Sequence, residues 1–217
     1  LKRPKVIIKM ACSLDGKITL RKNERNRITN QSVKKIVHVL RSEVDAILVG
    51  SNTVKVDNPF LNCRIKGFEV FSPYRIVLSK KLDLNINSHI FMNCKRYPTI
   101  VFTVDSNKRK IEELSLKKVT IITLKKKEFN LKNIMYKMSK LGICNLLVEG
   151  GSKIFTSFLK ENLYDEVMVF RSNTFIGSTG QSAIGSLNFS RENQNLTLKG
   201  IHQIEDNSLE LLEVKKG

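Results

Sequence analysis

The sequence predicts a single α/β domain over residues 1–217, with a mainly parallel central sheet, flanking helices and an antiparallel hairpin at the C-terminal end. Short runs rich in Ile and Val alternate with segments whose apolar residues recur at helical spacing. One run, Ala46-Ile47-Leu48-Val49, is continuously apolar, as a strand covered on both faces requires. The last two runs, 197–205 and 208–214, are separated only by Asp206-Asn207, which reads as a hairpin turn.

Taken in order, residues 5–12 (KVIIKMAC) form the first expected strand, and a loop follows to residue 27. Val33, Ile36, Val37 and Leu40 share one helical face, with Thr29 or Asn30 placed to cap the helix. The strand at 46–49 breaks at Gly50 into a polar loop carrying Asn52, Thr53, Asp57, Asn58, Pro59 and Arg64. Ligands of open α/β sheets bind beyond the carboxyl ends of strands, so these groups mark a small-molecule site. Residues 75–79, 89–91, 99–104 and 119–124 are further strands. Leu131, Ile134, Met135, Met138 and Leu141 define a second amphipathic helix, which Gly142 stops. A strand at 145–149, a helix at 152–161, a strand at 166–170 and a Gly- and Ser-rich loop at 176–185 complete the chain before the hairpin.

Val148-Glu149-Gly150-Gly151-Ser152 joins a buried strand to a helix. Glycines there let the backbone approach a ligand, and free N–H groups at a helix start attract phosphate. Simple turn geometry accounts for the same glycines, so Glu149 is the sharper sign. Ser13-Leu14-Asp15-Gly16 is, by itself, an Asp-Gly turn, and Arg41 by itself a solvated helical arginine.

The net charge of +18 raises a nucleic-acid partner. Lysine far outnumbers arginine, the lysines are dispersed, Trp is absent, and no aromatic–basic signature appears, so no nucleic-acid partner is expected. A positive field would still attract phosphorylated substrates. No apolar run approaches the roughly 20 residues of a membrane span, and no signal peptide is visible, so a cytoplasmic protein without a membrane partner is expected. Cys12, Cys63, Cys94 and Cys144 are isolated, and no C-x-x-C pair or nearby His suggests a metal. Cys12 and Cys144 lie in apolar strand patterns and are expected to be buried thiols.

The combination of SLDGKIT (13–19), the helix ending in Leu40-Arg41, DAILVGSNTVKVDNPFLNCR (45–64), PYRIVLS (73–79) and LLVEGGS (146–152) resembles one family. It is similar to the reductase domain of bacterial bifunctional riboflavin-biosynthesis deaminase/reductases, which has a dihydrofolate reductase-like fold. The resemblance runs over nearly the whole chain. It implies NADPH-dependent reduction of 5-amino-6-(5-phosphoribosylamino)uracil to the ribitylamino product, with hydride delivered to C1′ of the opened ribosyl imine. It also implies a homodimer. The zinc pattern H-x-E…P-C-x-x-C of the family's deaminase half has no match here. The chain is therefore expected to be an excised domain or a stand-alone reductase, working with or fused to a zinc deaminase domain. The start at Leu1-Lys2-Arg3-Pro4, without Met, favours an upstream segment.

Carried over residue by residue, the resemblance places Arg25, Arg41, Leu61, Arg64 and Glu149 on the substrate. It makes Glu149, Lys9 and Asp57 the catalytic candidates. It places Ala11, Arg27, Thr53, Asp57, Lys80, Gly150, Gly151, Ser152, Lys153, Ile154 and Phe155 on the cofactor. Paired guanidiniums suit a phosphate because each offers two parallel N–H donors. The family's Ser and Trp ahead of Ile-Thr are replaced by Arg25-Asn26-Arg27, where a guanidinium can stack in place of an indole. Ser79 stands where the family often has Asp, and Lys80 beside it suits a 2′-phosphate. The alternatives are a related reductase acting on another pterin or pyrimidine, and a non-catalytic basic nucleic-acid-binding module.

Overall fold

Pro4 leads into β1 (Lys5–Cys12), whose side chains alternate between covered and partly open positions. The computed structural model describes residues 2–21, 24, 26–187 and 196–215. After β1 come β2 (Lys17–Thr19), α1 (Gln31–Ser42), β3 (Ala46–Gly50), α2 (Ser51–Asp57), β4 (Tyr74–Leu78), β5 (Thr99–Thr103) and α3 (Lys108–Leu116). The chain continues through β6 (Thr120–Thr123), α4 (Leu131–Lys140), β7 (Asn145–Val148), α5 (Ser152–Lys160), β8 (Glu166–Arg171), β9 (Gln181–Ser182), β10 (Leu196–Ile204) and β11 (Asn207–Val214). It divides into two compact units: Leu1–Pro4 with His38–Leu146, and Lys5–Val37 with Leu147–Gly217.

The first unit holds an all-parallel sheet in the order β3-β4-β5-β6. The run AILVG of β3 is buried throughout, as its unbroken apolar sequence demands. Ile47, Val49, Ile76, Val77, Val101 and Phe102 are fully enclosed. Asn130 caps α4 by accepting from the Asn133 N–H at 2.9 Å. Leu131, Ile134, Met135 and Met138 supply the helix's buried face. Gly142, at φ 81°, takes the left-handed turn after it.

Two parallel strands, β4 and β5, are joined by about twenty residues with no α-helix among them. Arg75, on β4 and wholly buried, supplies donors to that irregular backbone and to the loop before β4. It donates to Phe60 O (3.2 Å), Met92 O (3.2 Å) and Tyr97 O (2.5 Å), and contacts Cys94 Sγ at 3.5 Å. Burial pulls the guanidinium down to about 10, with Cys94 and Tyr97 opposing that shift.

The second unit is ordered β10-β11-β8-β1. Strands β1 and β8 run parallel, β11 is antiparallel to β8, and β10–β11 form a hairpin. Arg171 on β8 pairs with Glu210 on β11 through two bonds of 2.8 and 3.1 Å. A small antiparallel ladder joins β2 and β9. Beside it, Asp15 accepts from Ser13 Oγ (2.6 Å), Gly177 N (2.7 Å) and Ile176 N (3.1 Å). The Ser13 hydroxyl and then the Gly177 N–H hold its carboxyl well below the ordinary value, at about 2.

Several expectations are corrected. The polar stretch after Gly50 begins as a helix, α2, because Val54 turns into the core and Asn58, at φ 43°, closes the helix with its N–H on Val54 O. Residues 89–91 form a 3₁₀ turn, not a strand. Asn58 captures the His89 N–H on Oδ1 and the His89 ring on its carbonyl, both at 2.8 Å. The hairpin turn is Glu205-Asp206, one residue earlier than expected, since Asn207 is in β11 and its Oδ1 accepts from Asn30 N. Cys144 is exposed rather than buried. It precedes β7, and its N–H is taken by Asp45 Oδ2 at 2.8 Å. Of the two candidate caps for α1, Asn30 does the work, accepting from Val33 N at 2.9 Å. Helix α3 and strands β2 and β9 were not expected, being short or weakly periodic.

Candidate functional site

Two groups of candidate residues form, one in each unit. In the second unit, Lys9 lies midway along β1 and Glu149 directly follows β7. Lys9 Nζ stands 3.7 Å from Glu149 Oε2, with the side chains only 13% and 7% exposed. The Phe170 ring on the neighbouring strand lies 6.0 Å from the ammonium. An ion pair so short of water is costly to build unless it has a use or further bonds. Ala11, two residues along β1, is half-buried and pairs with Phe170.

Glu149 opens the Gly150-Gly151 turn into α5. Gly151 is the N-cap at φ 50° and ψ 158°, a conformation essentially closed to other residues, and no side chain caps the helix. Gly150 is buried, Ser152 and Ile154 half-buried, and Lys153 exposed. Phe155 turns its ring into the core, leaving its backbone on the first helical turn. Arg27 is exposed and donates to Gln31 Oε1 at 3.2 Å. Arg25 lies outside the described residues.

In the first unit, α2 carries Thr53 and Asp57, both half-buried. Leu61 is buried at φ 52°, so with Asn58 it places two non-glycine residues in the left-handed region within one short loop. That doubling-back returns residues 62–64 to α1. Arg41, in the last turn of α1, donates to Asn62 O at 3.3 Å. Arg64 Nη1 donates to Asn62 Oδ1 at 3.2 Å, and Arg64 N to His38 Nδ1 at 3.3 Å. Both arginines therefore meet on one residue. Lys80, exposed just beyond β4, lies over the Phe129 ring at 5.6 Å.

Sequence reasoning missed Asn62, His38, Phe60 and Arg75. Only Arg75 left a visible signal, a charge inside the apolar strand YRIVL. Among the described residues, no group of three or more His, Cys, Asp or Glu side chains is arranged to hold a metal ion. No helix among them is long and apolar enough to cross a membrane.

The chain is an α/β protein of the dihydrofolate reductase-like class. It superposes on dihydrofolate reductase from Enterococcus faecalis with a TM-score of 0.53 at 11% identity, over 96% of this chain and 95% of that one. Within that class the match narrows sharply. Residues 4–209 match the RibD C-terminal domain, and the chain belongs to that family. It is 39% identical over 188 residues to the riboflavin biosynthesis protein RibD of Aquifex aeolicus, covering 85% of this chain and 51% of that protein. It is 27% identical, at a TM-score of 0.83, to the Thermotoga maritima diaminohydroxyphosphoribosylaminopyrimidine deaminase/5-amino-6-(5-phosphoribosylamino)uracil reductase, over 99% of this chain and 57% of that one. The chain spans about half the length of the curated RibD relatives it matches.

Proposed function

We propose that this chain is one reductase domain that reduces 5-amino-6-(5-phosphoribosylamino)uracil to its ribitylamino product in riboflavin biosynthesis. The observation that carries the reading is the water-poor Lys9–Glu149 pair at the Gly150-Gly151 turn, in a chain of this family. The turn suits a phosphate-bearing nicotinamide cofactor. Its glycine N-cap brings backbone rather than side chain to the start of a nine-residue helix. In the second unit residues 150–155, with Ala11 and Arg27, would hold NADPH, which supplies the hydride that C1′ of the opened ribosyl imine accepts. Thr53, Asp57 and Lys80 of the first unit are assigned to the cofactor by the family resemblance alone.

The protein's own part is positioning and proton control. Lys9 keeps a proton at Nζ beside the reacting end, and Glu149 sets the direction of that ammonium and accepts from a substrate N–H or hydroxyl. Arg41 and Arg64 bind the 5′-phosphate with Leu61, and Arg25, outside the described residues, is assigned to the substrate by the family resemblance alone. Asp57 anchors the nicotinamide or its ribose. The deaminase chemistry belongs to a zinc domain fused to this one or working with it, and the reaction takes place in the cytoplasm on a homodimer. NADPH titration by fluorescence, followed by loss of reduced-nicotinamide absorbance with the substrate present, tests the reading. Saturable binding and turnover that requires the 5′-phosphate are expected. Absence of NADPH binding, or turnover indifferent to the phosphate, would overturn it.

A further inference from the structure

Two guanidiniums that converge repel each other, and something must hold them in place before an anion arrives. Here both use one neutral residue. The backbone carbonyl of Asn62 accepts from Arg41 Nη1 at 3.3 Å, and its side-chain Oδ1 accepts from Arg64 Nη1 at 3.2 Å. Asn62 is 6% exposed, so its amide is fixed by packing rather than free to follow solvent. Its neighbours fix the loop further. Arg64 N donates to the buried His38 Nδ1, three residues before Arg41 on α1. The Phe60 ring stacks on His89 at 4.2 Å and 8°, and the Arg64 guanidinium lies over the same ring at 5.6 Å from its centroid.

We propose that Asn62 is a positioning residue that presents Arg41 and Arg64 together to a single phosphate. A carboxylate at this place would add a charge beside the guanidiniums, and an apolar residue would take the Oδ1 acceptor away from Arg64. A carboxamide orients the guanidinium through one acceptor without adding a charge of its own. Placing that ligand on the substrate's 5′-phosphate rests on the function proposed above, whereas the pairing of the arginines does not.

The test therefore uses ribose 5-phosphate, which needs no turnover. Calorimetry on wild type, Asn62→Ala, Arg64→Ala and the double variant forms a cycle. Asn62→Ala is expected to weaken ribose 5-phosphate binding about tenfold, the worth of one charge-assisted hydrogen bond. In the Arg64→Ala background the same change is expected to have almost no further effect, because Asn62 acts through Arg64. Asn62→Asp keeps shape and acceptor but adds a charge, and its loss should exceed that of alanine. If alanine at this position fails to fold, the aspartate variant alone decides between the outcomes. In turnover, substrate KM should rise while the KM for NADPH stays level. Additive losses in the cycle, unchanged affinity in Asn62→Asp, or no binding of ribose 5-phosphate by wild type would overturn the proposal. Phosphate-coupled behaviour without NADPH oxidation would sink the proposed reductase activity and leave the role of Asn62 standing.

Discussion

Lys9 and Glu149 bring opposite charges together where little water reaches, whereas Arg41 and Arg64 bring like charges together around a neutral asparagine. In the first group each charge helps to replace the water the other has lost, so stability and the proposed proton control draw on the same contact. In the second group Arg64 is exposed and Arg41 half-buried, so both keep part of their hydration. On the function proposed above, removing the exposed Arg64 withdraws a contact from the phosphate at little cost to the fold. Under the proposed function, stability and activity should therefore be tied together in the first group and separable in the second.

The sharpest way to break this contrast is Glu149→Ala. It leaves the Lys9 ammonium buried with its carboxylate gone, and stability should fall by roughly 3 kcal/mol, measured by urea unfolding. Turnover should fall about 100-fold or more, the usual scale for losing a group that manages a proton. If stability is unchanged, the pair is better hydrated than its 13% and 7% exposures indicate.

Arg64→Ala should behave differently. Its unfolding free energy should stay within about 0.5 kcal/mol of wild type, as for most surface changes. Substrate KM should rise about tenfold or more, the value of a charge-assisted contact. Added salt should also weaken substrate binding in wild type, since exposed charges are screened over about 10 Å at 0.1 M ionic strength. The Lys9–Glu149 contribution to stability should show little salt dependence.

The smallest effect is expected at the Asp15 clamp, in the turn that follows β1. Its carboxyl is lowered from 3.8 to about 2 by the Ser13 hydroxyl and then the Gly177 N–H. A depressed carboxyl stabilises the fold above its unfolded value, so the contribution is complete above about pH 4 and is lost as pH falls toward 2. Hydrogen exchange at Gly177 should accelerate over that window in wild type. In Asp15→Asn the exchange should already be faster at neutral pH, with no acid transition of its own.

Much of this protein follows from local pattern. Continuous apolar runs marked β3 and the core of the parallel sheet, and the 3–4 spacing of Val33, Ile36 and Val37 marked α1. Glu149 is the legible member of its group, since a carboxylate at the end of a buried strand is either solvated or aimed at a partner, whereas the paired glycines also fit simple turn geometry. The segment 51–57 looked like a loop because its polar residues outnumber its single buried one, Val54. Cys144 looked buried because an apolar neighbourhood in sequence says nothing of which way a residue outside the strand points.

The chain alone determined the longer strands, the helices α1, α4 and α5 and the chemical kinds of group at the candidate site, since side-chain spacing and residue type are local properties. Only the tertiary structure decided which groups meet. Lys9 and Glu149 are 140 positions apart in the sequence, yet they lie within 3.7 Å of each other. Asn62 acquires two arginines only because left-handed turns at Asn58 and Leu61 fold the loop back onto α1. Such meetings depend on long-range closure of the chain, and no local periodicity records them.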